Sequence, residues 1–86
     1  MVLFDPAKDA INTAKHGVSL ARASEMNLES ATVIEDDRQD YGERRYRAFG
    51  RIDDLAYCFV FTIREGAIRA ISLRRAHQKE IRRHAS

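Results

Sequence analysis

A single cysteine, Cys58, stands among the 86 residues. No internal disulfide can form, and no multi-cysteine zinc cage can be assembled. Cys58 lies inside the most apolar segment, which predicts a buried thiol and a reducing, cytoplasmic setting. No apolar run approaches the roughly 18 residues that a membrane-spanning helix needs. Met1 to Asp5 offers no basic region ahead of an apolar stretch, so no secretory signal is expected. The three histidines, His16, His77 and His84, form no H-x-x-x-H pair. Asp36, Asp37 and Asp40 lack the glycine and the ligand spacing of a calcium loop. Glycine-rich phosphate loops, G-x-S-x-G elbows, internal repeats and low-complexity segments are all missing. The expectation is a chain with no cofactor and no metal.

A length of 86 residues implies one domain, residues 1–86. A chain this small buries only about 60–65% of its unfolded surface, so a partner would help to stabilise it. Its charge is unevenly spread. Residues 1–42 carry four Lys/Arg against eight acids, a net of −4, whereas residues 43–86 carry eleven against five, a net of +6. Ten of those eleven cations are arginine, whose planar fork matches phosphate and stacks on bases. Such asymmetry points to nucleic acid.

The organising stretch is Tyr57 to Arg75. Tyr57 to Ile63 and Ile68 to Leu73 read as two apolar strands, with Glu65-Gly66 as the turn. That loop places Ile63 opposite Ile68, Phe61 opposite Ala70 and Val60 opposite Ile71. Both faces of the hairpin are apolar, which places it inside a sheet rather than at an edge. Arg64, Arg69, Arg74 and Arg75 lie at its ends and margins, and Arg64 and Arg74 are expected near opposite ends of one face.

Val2-Leu3-Phe4 suits a short edge strand. Asp5-Pro6 starts a helix, and Ala7, Ala10, Ile11 and Ala14 form its apolar stripe, with Lys8, Asn12 and Lys15 on another face. Lys15-His16 fills the last turn and Gly17 ends it. Ser19 caps a second short helix with Leu20, Ala23 and either Met26 or Asn27 inward. Residues 31–35 form a strand and 35–42 a loop. Residues 43–52 alternate, with Arg45, Arg47, Phe49 and Arg51 on one side and Arg44, Tyr46, Ala48 and Ile52 on the other. Asp53-Asp54 turns the chain into the hairpin. Residues 76–83 are expected to form a polar helix that rests on the sheet through Ala76 and Ile81 or serves as a docking arm, with His77 and His84 solvated. The expected fold is therefore α+β: two N-terminal helices packed on an antiparallel sheet, then a short C-terminal helix. Helices on one face would leave the other to solvent or a ligand.

Asp5-Pro6-x-Lys8-x-x-x-Asn12-x-x-Lys15-His16-Gly17-Val18-Ser19 resembles the opening signature of BrnT-type toxins of type II toxin–antitoxin systems. The similarity continues through Gly42-Glu43-x-Arg45, Gly50, Thr62-x-Arg64, Ile68-Arg69-x-Ile71-Ser72-x-Arg74-x-Ala76 and Glu80. It implies a RelE-like ribonuclease fold and arrest of translation by RNA cleavage. It also implies a ribbon-helix-helix antitoxin of the BrnA kind, through which the complex binds and represses its own promoter DNA.

RNA cleavage without metal needs a base for the 2′-OH, fixed cations for the phosphorane and a group to hold the bases. His16 is the best titrating group, and Lys15 beside it is suited to holding phosphate or, if desolvated, to acting as the base. Arg64 and Arg74 suit phosphate stabilisation, Arg45, Arg47, Arg69 and Arg75 backbone contacts, and Tyr46 a stacked base. Each has a plainer role open to it: a helix cap for His16, an ion pair of Arg64 with Glu65 or Glu43, and a clamp by Arg74 on Asp5 or the 35–40 loop. An exposed edge at residues 31–35 invites a homodimer within a toxin–antitoxin heterotetramer. The alternatives are a module that binds RNA or DNA without cutting it, or a protein that only docks the antitoxin.

Overall fold

A computed structural model describes residues 2–84. Five strands form one sheet in the order β1-β5-β4-β3-β2. They are β1 (Val2–Leu3), β2 (Thr32–Glu35), β3 (Arg45–Ile52), β4 (Leu55–Arg64) and β5 (Ala67–Arg75), with helices α1 (Pro6–His16) and α2 (Gln78–His84). β3, β4 and β5 follow one another as an antiparallel meander, β2 adds antiparallel to β3, and the apolar strand β4 is central. β1 runs parallel to β5, so the sheet is mixed rather than purely antiparallel.

The hairpin departs from its expected register at one residue, with large consequences. Glu65 and Gly66 both take positive φ, 53° and 77°, as a two-residue turn requires. Ile63 pairs with Ile68 and Phe61 with Ala70, but Val60 pairs with Ser72, because Ile71 is an extra residue in β5. A one-residue slip moves every later side chain to the other face. Leu73 therefore falls opposite Phe59, in the core, and Arg74 falls opposite Cys58 on the outer face. Without the bulge, Leu73 would point outward and Arg74 inward.

α1 has its expected ends and the opposite of its expected orientation. Asp5 accepts from the Ala7 N–H at 2.8 Å, and Gly17, at φ 72°, returns its N–H to the Thr13 carbonyl. The stripe Ala7, Ala10, Ile11 and Ala14, however, faces solvent, with Ile11 67% exposed. The inward groups are polar. Asn12 is buried, and Asp9 accepts from the Ser19 hydroxyl at 2.9 Å and the Leu20 N–H at 2.8 Å. The physical reason is that α1 stands against the end of β5, whose backbone needs partners that alanine lacks.

The expected second helix is a six-residue 3-10 segment, Leu20–Glu25, leaving one α-helix at the N-terminus. Leu20, Ala23 and Met26 are all buried. Their spacing of three matches the 3-10 period and lines one side of it. This segment covers Ala48, Phe59, Phe61 and Leu73 to make the core. Gly50 lies close beneath it: a Cβ there would stand 3.0 Å from the Ala31 Cβ and from Met26, which would have to give way.

α2 lies on the opposite face from the core, so that face is not left wholly open. The His84 ring stacks on Phe49 with centroids 4.5 Å apart; it is partly covered rather than solvated. Among the described residues no helix is long and apolar enough to cross a membrane.

Candidate functional site

The two ends of the chain meet beside β5. α1 and the bulge enclose a groove of about 180 Å³ lined by Lys8, Ile11, Asn12, Lys15, His16, Ile71 and Ser72. Asn12 builds it. Its amide nitrogen donates to the carbonyls of Val18 and Leu73, both at 2.9 Å, and its oxygen accepts from the Leu73 N–H at 3.1 Å. With that anchor set, helical spacing turns Lys8, Lys15 and His16 toward Ser72.

Partial burial pushes the His16 imidazole below its usual value, and the charges of Lys15 and Arg74 push it further. A neutral imidazole between cations can accept a proton at neutral pH while the cations hold an anion. Arg74 is held by Glu80, with two nitrogens each 2.8 Å from a carboxylate oxygen. That fork, together with the His77 N–H at 2.7 Å, keeps the Glu80 carboxyl down at about 2 despite its burial. The clamp expected on Asp5 or the 35–40 loop is thus made to α2 instead.

Arg64 lies apart from this group. It shares the outer face with Arg74 but is six residues along β4 from Cys58, the partner of Arg74, about 20 Å at strand rise. Its guanidinium bonds Glu43 at 3.0 Å, one of the two acids expected for it, and Glu43 also takes Arg45 at 3.4 Å. Arg45 lies 4.2 Å over the Tyr41 ring. Arg47, on the same face, sits 5.6 Å from the Phe49 ring and 4.0 Å from Asp36. Asp36 is buried and held at about 2, chiefly by hydrogen bonds from Arg38. Arg69 pairs with Thr62 on that face. Two expected RNA contacts point elsewhere. Tyr46 stacks on Phe61 at 5.5 Å on the core side, and Arg75 lies over Tyr57 on that side as well.

The family described as the ribonuclease toxin BrnT of type II toxin–antitoxin systems matches residues 4–80. This chain belongs to the BrnT family. A search of curated proteins gives no match. BrnT membership makes the chain a ribonuclease toxin, with RNA as substrate and a protein antitoxin as partner. Every groove residue of this BrnT toxin falls inside the matched span, as do Arg74 and Glu80.

Lys8 and Ser72 were absent from the sequence-based site. Lys8 carried a usable signal, since it shares a helix face with Asn12 and Lys15. Ser72 stands in the second signature segment, but its outward direction had no signal, because the bulge that turns it has no mark in the sequence. Among the described residues no three His, Cys, Asp or Glu side chains gather as a metal would require. The buried Cys58 thiol is pushed up by desolvation, which makes it a packing residue rather than a nucleophile.

Proposed function

We propose that this single domain, residues 1–86, is a metal-independent endoribonuclease of the cytoplasm that cuts RNA in the α1–β5 groove and so arrests translation. One observation carries the reading: Lys8, Lys15 and His16 from one end of the chain line a single groove with Ser72 from the other. The lining offers cations, a proton acceptor and a hydroxyl, and no carboxylate.

The chemistry balances on these groups. The 2′-oxygen attacks phosphorus as neutral His16 removes its proton. Lys8, Lys15 and Arg74 hold the charge that grows on the phosphorane oxygens. The P–O5′ bond breaks, the leaving oxygen takes a proton from solvent water, His16 returns the proton it took to the hydroxide so formed, and the products end in a 2′,3′-cyclic phosphate and a 5′-hydroxyl. Arg45, Arg47 and Arg69 contact the backbone beyond the groove, and Arg64 a more distant stretch.

The partner is a ribbon-helix-helix antitoxin, through which alone the complex reaches and represses its promoter DNA. Its contact is the uncovered stripe of α1. Ile11 belongs both to that stripe and to the groove lining, so a partner seated there closes the groove. The unpaired edge of β2, where Val33 is 43% exposed, supplies a homodimer contact within a heterotetramer.

The test is cleavage of a structured RNA by the chain freed of antitoxin, with EDTA present. Fragments with cyclic phosphate ends that disappear in a folded His16→Ala variant support the assignment. Intact RNA, both free and on translating ribosomes, sinks it, and stoichiometric binding without product leaves only a binding module.

A further inference from the structure

On the arginine face, beyond the Arg74–Glu80 pair, a second cavity of about 170 Å³ is lined by Arg47, Lys79, Glu80, Arg83 and His84. Three of these are permanent cations. Glu80 is already bonded by Arg74 and by the His77 N–H, so its charge is engaged before anything enters. Arg47 is partly available. Its Nε is buried and has no hydrogen-bond acceptor, a condition that costs free energy, so the guanidinium is not fully engaged within the fold. The acid paired with it, Asp36, lies 4.0 Å away and is taken by Arg38 at 2.7 and 2.8 Å.

We propose that this cavity is a second phosphate site, holding a backbone phosphodiester of the RNA strand whose reacting bond lies in the α1–β5 groove. The inference rests on the ribonuclease reading for its substrate, and on sheet geometry for its placement. Arg47, Val60 and Ser72 stand in one row across β3, β4 and β5. Two strand spacings, roughly 10 Å, therefore separate the Ser72 of the groove from the Arg47 of the cavity. Val60, only partly covered, forms an apolar floor between them. The Arg74–Glu80 pair lies beside both sites, since Arg74 is two residues along β5 from Ser72 on the same face and Glu80 lines the cavity. A strand leaving the groove over Val60 reaches the cavity within a few nucleotides. Single-strand sites track the backbone with a positively charged groove, and here the cations flank an aliphatic floor. Of the lining residues, Arg47, Lys79 and Glu80 lie inside the matched span, and Arg83 and His84 lie just beyond its end at residue 80.

The test uses a fluorescent single-stranded RNA carrying 2′-O-methyl groups, which cannot be cut by 2′-oxygen attack. Its affinity for the full-length chain is followed by anisotropy against salt. Lys79→Ala and Arg83→Ala change exposed residues of α2, so the fold is expected to persist. Each should weaken binding several-fold and lower the slope of log K against log salt by up to about 0.7, one phosphate contact. Arg82→Ala removes the same charge from the same helix but not from the cavity lining, and should change both quantities much less. Equal effects of Arg82→Ala and Arg83→Ala would mean a diffuse field and overturn the site, as would no effect of any variant or no binding by the unmodified chain. Displacement by inorganic phosphate at matched ionic strength, lost in Arg83→Ala, would make it a small-anion site and overturn the assignment to a strand. On cleavable RNA, Arg83→Ala should raise KM and leave kcat unchanged. A chain that binds the probe with this pattern yet cuts no RNA would refute the ribonuclease reading and leave the second site standing.

Discussion

Asn12 and Leu73 exchange the two hydrogen bonds that a neighbouring strand would otherwise make, N–H to carbonyl in both directions, at 3.1 and 2.9 Å. β1 pairs β5 only at Ile68 and Arg69, so beyond that point a side-chain amide on a helix stands in for a strand. Asn12→Ala leaves the Leu73 N–H and C=O and the Val18 carbonyl without this partner. The expected loss is about 2–4 kcal/mol, read as a lower urea midpoint with an unchanged slope. Asn12→Asp should do at least as much harm, because a carboxylate facing two carbonyls cannot donate. Retention of full stability by Asn12→Ala would show that α1 is anchored elsewhere.

The Arg74–Glu80 fork sets a pH window. Glu80 is held at about 2 in the folded chain against an ordinary 4.5. A depressed carboxyl adds stability above the unfolded value, and that stability is lost as pH falls through the folded one. Unmodified chain and Glu80→Gln should therefore differ in melting temperature at pH 7 and converge as pH drops from about 4.5 toward 2. At neutral pH the variant should be less stable by about 1–2 kcal/mol. A gap that stays constant across that range would mean the pair contributes no net stability.

His16 titrates below 6.5 for three reasons, of which Lys15 is the second. Lys15→Ala should therefore raise the His16 pKa while leaving it under 6.5, because burial and Arg74 still act. The imidazole proton shifts in NMR report this directly. In the cleavage assay the acid limb should move to higher pH in that variant, since a general base must be unprotonated. An unmoved His16 titration would separate the two residues and with them the groove chemistry.

Ile11 offers a test that separates docking from folding. At 67% exposure, Ile11→Ala should alter stability by no more than about 0.5 kcal/mol, whereas a core isoleucine would cost about 2–5 kcal/mol. Ile11→Lys should leave the fold intact and weaken antitoxin binding at least tenfold in a pull-down or titration. Full neutralisation of Ile11→Lys would move the contact off α1.

What the sequence determined by itself was local. Asp5-Pro6 and Gly17 set the ends of α1 through capping, Glu65-Gly66 and Asp53-Asp54 set the turns through backbone conformation, and β3 and β4 were legible from alternation and apolar content. The residues of the groove were also visible as two signature segments. Only the tertiary structure decided which faces they turned. The apolar stripe of α1 was assigned inward because burial usually follows hydrophobicity, but hydrogen-bond demand at the end of β5 drew Asn12 in and left Ile11 out. Leu20 and Ala23, with Met26 or Asn27, suit one side of an α-helix, but the chain takes a 3-10 path over Leu20–Glu25 and buries Met26. The bulge at Ile71, one residue with no local mark, put Leu73 in the core and Ser72 and Arg74 on the working face. It exists because strand register answers to the core across the sheet, and that constraint cannot be read from any one strand alone.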